Sequence, residues 1–222
     1  MGVFLGRVKP ALLIAAILLG HLAQSHRAQA AEPETAIFAG GCFWCVEADF
    51  EKVRGVSEVV SGYTGGHVDH PAYRQVARGG TGHVEAVEIT YDPDVVSYEK
   101  LVALFFRSVD PTDAGGQFCD RGETYRTAIF VSDPAERRVA EAEKGKVGRA
   151  LGSEIATEIL PAATFWPAEA YHQDYYKSRD LILTRFGPKT KAEAYKLYRA
   201  GCGRDERVRA LWGDAAPFAG GS

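Results

Sequence analysis

The chain has 222 residues, 46% of them hydrophobic and 25% charged, with a formal net charge of −3, a composition ordinary for a soluble globular protein. Its pI near 6.1 excludes the strongly basic field that marks a nucleic-acid or anionic-lipid binder. The longest apolar run, residues 11–20, is too short to span a bilayer comfortably.

That run lies in "KPALLIAAILLGHLAQ", behind Arg7 and Lys9 and ahead of Ala28-Gln29-Ala30. A basic start, a short apolar middle and an A-x-A ending predict a secretory signal peptide over residues 1–30, cut before Ala31. An uncleaved anchor is the alternative. Residues 31–222 are then expected to form a single exported, periplasmic domain with a cysteine-bearing C-terminal tail. Export places Cys42, Cys45, Cys119 and Cys202 where disulfides persist. The sole methionine, Met1, would leave with the signal.

Residues 35–39, "TAIFA", predict a strand ended by Gly40-Gly41. Phe43, Val46, Phe50 and Val53 recur at helical spacing, and Gly55 stops the run. Cys42 therefore falls at or just before a helix start, where unpaired N–H groups and the dipole favour a thiolate. Residues 56–61 predict a strand, followed by a long glycine-rich connection of the kind that is usually functional. In "HVEAVEITYDP", Glu85 shares a face with Val87, Ile89 and Tyr91. A carboxyl on such a face is buried, its pKa rises, and it can remain a proton donor near neutral pH.

Residues 97–108 predict a helix with Ser97 as N-cap, followed by the loop "TDAGGQFCDRGE" and a strand over residues 124–131. Asp133-Pro134 opens a helix that continues to about Leu151, and residues 155–160 form a further strand. Residues 189–200 predict a last helix, interrupted by Gly201-Cys202-Gly203. Strands and helices interleave irregularly, which favours α+β layers over a doubly wound sheet.

The four cysteines allow three fully paired connectivities, so two structural disulfides are one reading. A zinc site would need a second C-x-x-C or an H-x-x-x-H partner, and no metal is expected. Cys42 and Cys45 also suit a thiol–disulfide exchange protein, although such motifs usually carry small residues where Phe43 and Trp44 stand. Tyr73 and Tyr125 read either as packing aromatics or, beside Glu85 and Asp120, as hydroxyl donors aimed at one oxygen.

Together "GCFW" (41–44), "GYTGG" (62–66), "YRQVARGGTGHVEAV" (73–87), "YDP" (91–93), "DRGETYRTAIF" (120–130) and "AEAYHQDYY" (168–176) resemble the type A peptide methionine sulfoxide reductases. The resemblance covers residues 35–176. It implies a two-layer α/β sandwich with a mixed central sheet on an α-β-plait-like core, and reduction of the S epimer of methionine sulfoxide, free or in proteins. It implies Cys42 as nucleophile, Phe43 and Trp44 as the wall for the S-methyl group, and Glu85, Tyr73 and Tyr125 as the groups that bind and protonate the oxygen. Asp120 would support them. The sulfenic acid left on Cys42 would be condensed to a disulfide by a second thiol. A thioredoxin-type donor would recycle it without metal or organic cofactor, in an enzyme expected to be a monomer. The chain departs from the family pattern at Cys45, often glycine, at Cys119, and in a tail with one cysteine. Cys202, Cys45 and Cys119 are the candidate resolving thiols, Cys202 being favoured because its glycine-flanked segment can swing.

Overall fold

The extended run that opens the domain is β1, Glu34–Gly40, and its alternation sorts Ala36 and Phe38 toward a helical layer and Ala39 toward the opposite face. The computed structural model describes Gly2, residues 31–185 and residues 187–220; apart from Gly2, the expected signal peptide lies outside the described residues. Helix α1, Phe43–Phe50, follows β1 across Gly40-Gly41. Next come β2, Val56–Thr64, the single turn α2, Tyr73–Val76, and β3, Val84–Tyr91.

Helix α3, Tyr98–Ser108, starts as expected at Ser97, whose hydroxyl accepts the Lys100 N–H at 3.2 Å. Two-residue strands β4 (Gly116–Gln117) and β5 (Asp120–Arg121) pair in the following loop. They lead to β6, Thr127–Val131. Helix α4, Pro134–Leu151, is capped by the Asp133 carboxylate and ended by Gly152 in the left-handed conformation. Then come β7, Glu158–Pro161, and β8, Trp166–Pro167.

The six-stranded sheet has the order β7-β6-β1-β3-β2-β8. All neighbours are antiparallel except β6 and β7, which are parallel, giving the expected mixed sheet. One face carries Phe38, Val87, Ile89, Tyr91 and Ile129 against Val46, Phe50, Leu101, Phe105 and Val147 of the helices. A smaller cluster of Ala39, Val84, Ala86, Ala128 and Phe130 lies on the other face. This is the expected two-layer α+β arrangement. Among the described residues no helix is long and apolar enough to cross a membrane.

The tail differs from expectation in two ways. Residues expected to begin its helix instead form β10, Gly187–Thr190, paired with β9, Leu181–Thr184. Helix α5, Lys191–Cys202, starts at Thr190 and ends at Gly203, where φ is +71° and a new helix, α6, Arg204–Trp212, begins. The segment expected to swing is fastened to the body on both sides of Cys202. Before it, Arg199 donates to Asp49 on α1 at 2.8 Å and to Asp205 at 2.8 Å. After it, the guanidinium of Arg204 donates to the carbonyls of Gly40 at 2.8 Å and Ser108 at 3.0 Å.

Arg199 and Asp49 are 2% and 0% exposed in their side chains, so removing one partner leaves a buried charge uncompensated. Arg199→Ala is expected to lower the unfolding free energy by about 3–5 kcal/mol, with Arg199→Lys recovering part of it. Urea unfolding checks this, and a loss below about 1 kcal/mol would place the pair among ordinary surface contacts.

Candidate active site

Gly41 makes the turn that aims Cys42. Its φ is +77°, and a Cβ there would come within 2.5 Å of the Gln117 side chain, so only glycine fits without displacing that loop. Cys42 then occupies the N-cap of α1, as expected from the sequence. It lines a cavity of about 90 Å³ together with Phe43, Trp44, Tyr73, Glu85, Asp120, Tyr125 and Tyr198. All seven residues assigned from the sequence as catalytic or substrate-binding therefore meet in one place, although they come from five separate segments.

Glu85 stands on β3 opposite Tyr63 of β2 and is 3% exposed. Its Oε2 accepts the N–H of Phe43 at 3.0 Å, the first free N–H of α1. Burial pushes its carboxyl up to about 8, with Asp120 and Cys45 adding to the rise and the Phe43 N–H opposing it. The group is thus a neutral acid at pH 7. Tyr73 and Tyr125 are brought over it by two turns tied together, the Thr124 hydroxyl donating to the Val76 carbonyl at 3.0 Å. Burial first, then the nearby Glu85, pushes the Tyr73 phenol to about 12 and the Tyr125 phenol higher, so both remain O–H donors.

The thiols differ from the sequence expectation. Cys42 does sit at a helix start, but its side chain makes no cap hydrogen bond, and the first N–H of the helix goes to Glu85. Burial, with the adjoining Cys45 and Glu85, holds the Cys42 thiol well above its ordinary value. Cys45 moves the other way, to about 7, because the Cys42 thiol donates to it and Arg204 and Arg199 attract its anion, against the cost of burial. Both thiols are free and buried, one helical turn apart. Two structural disulfides are likewise ruled out: one bridge forms, Cys119–Cys202, with Cα atoms 4.9 Å apart. Cys119 is exposed and Cys202 half-buried.

Sequence reasoning missed four residues that line or brace the site. Tyr198 lines the cavity and its hydroxyl donates to the Asp120 carboxylate. Burial raises that carboxyl, while Tyr198 and Arg204 pull it down. The spacing Tyr195, Tyr198, Cys202 on one helical face was a readable signal for it. His172 accepts the Trp44 indole N–H on Nδ1 at 3.2 Å, and burial holds its imidazole down near 4 and so neutral. Tyr175 stacks on Trp44 with ring centroids 3.8 Å apart, so the indole is held on an edge and a face. Glu169 accepts the Tyr73 N–H at 2.9 Å and the Tyr63 hydroxyl at 3.1 Å, fixing the turn that carries Tyr73.

Comparison with known proteins agrees with this geometry. The family profile described as "Peptide methionine sulfoxide reductase" matches residues 34–201. A peptide methionine sulfoxide reductase MsrA 2 of Rhizobium meliloti (strain 1021) is 50% identical over 189 residues, covering 85% of this chain and 88% of its own. The MsrA of Bacillus licheniformis is 49% identical over 182 residues, covering 81% and 94%. Among solved structures, methionine sulfoxide reductase A of Corynebacterium diphtheriae superposes with a TM-score of 0.59 at 35% identity, covering 67% of this chain and 76% of that one. Reduced Mxr1 of Saccharomyces cerevisiae gives 0.62 at 30% identity, covering 65% and 84%.

The Glu85 environment has a direct spectroscopic consequence. A protonated-carboxyl infrared band is expected at pH 6, lost with a midpoint of about 8, and missing from Glu85→Gln. An ionised Glu85 at pH 6 would remove the proton donor from the site.

Proposed function

This chain belongs to the type A peptide methionine sulfoxide reductase family, oxidoreductases that reduce methionine sulfoxide with thiols and without a prosthetic group, and we propose that the cavity around Cys42 is where the reduction takes place. The observation that carries the assignment is the convergence, in one cavity, of a thiol, a neutral buried carboxylic acid and two phenols. The sulfoxide oxygen accepts hydrogen bonds from Tyr73, Tyr125 and Glu85, and its S-methyl group lies against Phe43 and Trp44, in the S epimer. The sulfur of Cys42 attacks the substrate sulfur, forming an S–S bond, while Glu85 gives its proton to the oxygen and takes the thiol proton in return. The hydroxyl then passes to the Cys42 sulfur as the S–S and S–O bonds to the substrate break, so that methionine leaves and Cys42 is a sulfenic acid.

Asp120, held by the Tyr198 hydroxyl, keeps the polar rim in place. A raised Cys42 thiol is consistent with this chemistry, since its proton is released only as the substrate is engaged.

Resolution falls to Cys45. Its thiol attacks the Cys42 sulfenic acid, forming the Cys42–Cys45 disulfide and releasing water. The reading is supported by the adjacency of the two free thiols, one helical turn apart. Exchange with the Cys119 and Cys202 thiols then returns the inner pair to its reduced form. The exposed edge of Cys119–Cys202 receives a thioredoxin-type dithiol, in keeping with the inner pair being free and the outer pair bridged. The enzyme acts as an exported, periplasmic monomer on free or protein-bound methionine sulfoxide. For the export reading the support is the basic, apolar, A-x-A order of residues 7–30, and N-terminal sequencing of protein beginning at Ala31 tests it.

With dithiothreitol as reductant, the purified protein is expected to convert methionine S-sulfoxide to methionine, and Cys42→Ser to abolish the conversion. Turnover by that variant would sink the assignment. Glu85→Gln is expected to slow sulfoxide reduction by about 10²–10⁴-fold while leaving Cys42 open to alkylation. The acid form of Glu85 is the active one and lies below its pKa. Single-turnover methionine release should therefore fall as pH rises through about 8, and that limb should vanish in Glu85→Gln.

A further inference from the structure

Arg204 follows the region matched by the family profile, which ends at residue 201. In the sequence it reads as one more charge in a polar tail, "GCGRDERV". In the structure it is 2% exposed and among the largest fully buried side chains. One guanidinium nitrogen donates to the Gly40 carbonyl at 2.8 Å and the other to the Ser108 carbonyl at 3.0 Å. Its plane lies over the Phe118 ring, 4.5 Å from the centroid.

These contacts join three cysteine-bearing segments. Gly40 lies two residues before Cys42, Phe118 directly before Cys119, and Arg204 itself two residues after Cys202. Phe118 has a φ of +55°, an uncommon conformation for a bulky residue, and it is covered by this cation.

The charge matters as much as the contacts. Arg199, the other buried guanidinium, is neutralised by Asp49 and Asp205. Arg204 hydrogen-bonds to carbonyls, and among the described residues no carboxylate forms a salt bridge with it. Burying a cation with only neutral partners is costly, and the cost falls when an anion forms nearby. The field of Arg204 reaches Cys45 and lowers its thiol. Facing the same thiol are Cys42 and Asp49 from α1 and its cap, and Glu85 from β3. From α5 come Tyr195, Tyr198 and Arg199. Arg199 is matched by Asp49 and Asp205, Glu85 and the tyrosines are neutral at pH 7, and Arg204, which has no salt bridge among the described residues, shares its field between the Cys45 thiol and the Asp49 and Asp120 carboxyls.

We infer that Arg204 is a positioning residue for the resolving step: by bridging the Gly40 and Ser108 carbonyls and covering Phe118, it holds the turn that carries Cys42 and Cys45 against the tail and sets a buried cation beside it. The inference rests on the reading of Cys45 as first resolver. The step is the one already balanced above, in which one S–S bond forms, one S–O bond breaks and the oxygen leaves as water. Arg204 gains and loses nothing in it.

The experiment uses the purified full chain without added reductant. Wild type receives one equivalent of methionine S-sulfoxide, and its disulfides are mapped. A Cys42–Cys45 bridge is expected; its absence in wild type overturns the resolver reading and the inference with it. Arg204→Met and Arg204→Lys are then followed by rapid quench, measuring methionine release and disulfide formation separately, with dimedone trapping the sulfenic acid. In Arg204→Met, methionine release is expected within about twofold of wild type, while disulfide formation at pH 7 slows at least about fivefold, in line with loss of a nearby opposite charge. Raising the pH to 9 should restore it, and Arg204→Lys, which keeps the charge, should retain the wild-type pH profile.

A purely structural role would slow both steps together and would not be repaired by alkali. An unchanged pH profile in Arg204→Met, or methionine release falling in step with disulfide formation, overturns the inference. If Arg204→Met does not fold, Arg204→Gln carries the same prediction, because its amide still offers an N–H to a carbonyl.

Discussion

The hydrogen bond from the Phe43 N–H to the Glu85 carboxyl, at 3.0 Å, ties the two halves of the reaction to one another. It joins the first turn of the helix that carries the thiol to the strand that carries the acid. It also commits one of the helix-terminal donors to the carboxyl. The resting site is therefore a neutral thiol beside a neutral acid, both raised by burial. An ionised pair so close would repel, and a site of this depth would have to bear two desolvated charges. Keeping both protons in place until substrate arrives is the lower-energy arrangement, and it supplies one proton where an oxygen must leave.

Around that bond the fold acts as a positioning frame. Adjacent central strands β1 and β3 deliver Cys42 and Glu85 to the same edge. The loops beyond the sheet add Tyr73, Asp120 and Tyr125, and each is fastened by a specific contact: Glu169 to the Tyr73 turn, Thr124 to Val76, Tyr198 to Asp120. Another buried carboxyl, Glu47, is pushed by burial up to about 7 and accepts the Ser61 hydroxyl and the Asp174 N–H. It fastens α1 to the segment that presents His172 and Tyr175 to Trp44. Side chains set into loops in this way keep a geometry that loops alone do not hold.

Much of this was legible in the sequence. The period-two pattern around Glu85 put it on the buried face, and both burial and the raised carboxyl follow from that pattern. Asp133-Pro134 and Ser97 announced their helices through cap chemistry that is local and so readable. Long-range pairing was not legible. Nothing near Asp49 forecasts Arg199, 150 residues away, and nothing around Arg204 separates a buried guanidinium from a solvated one. The Cys42 thiol shows the same limit: the helix start was visible, whereas the burial and the Glu85 carboxyl that raise it come from segments far along the chain. Local signals fixed the elements, and the electrostatics depended on what folding placed beside them.

Tyr198 gives the tail a second meaning. The helix that ends in Cys202 also supplies a wall of the substrate cavity, and Arg199 and Arg204 bolt that helix to the core. Recycling and substrate grip are thus inherited as one block. A chimera that borrows another relative's C-terminus to alter its electron donor would exchange part of the pocket as well. In this chain the tail is not a detachable module, and any change in it has to be matched by the loops it leans on.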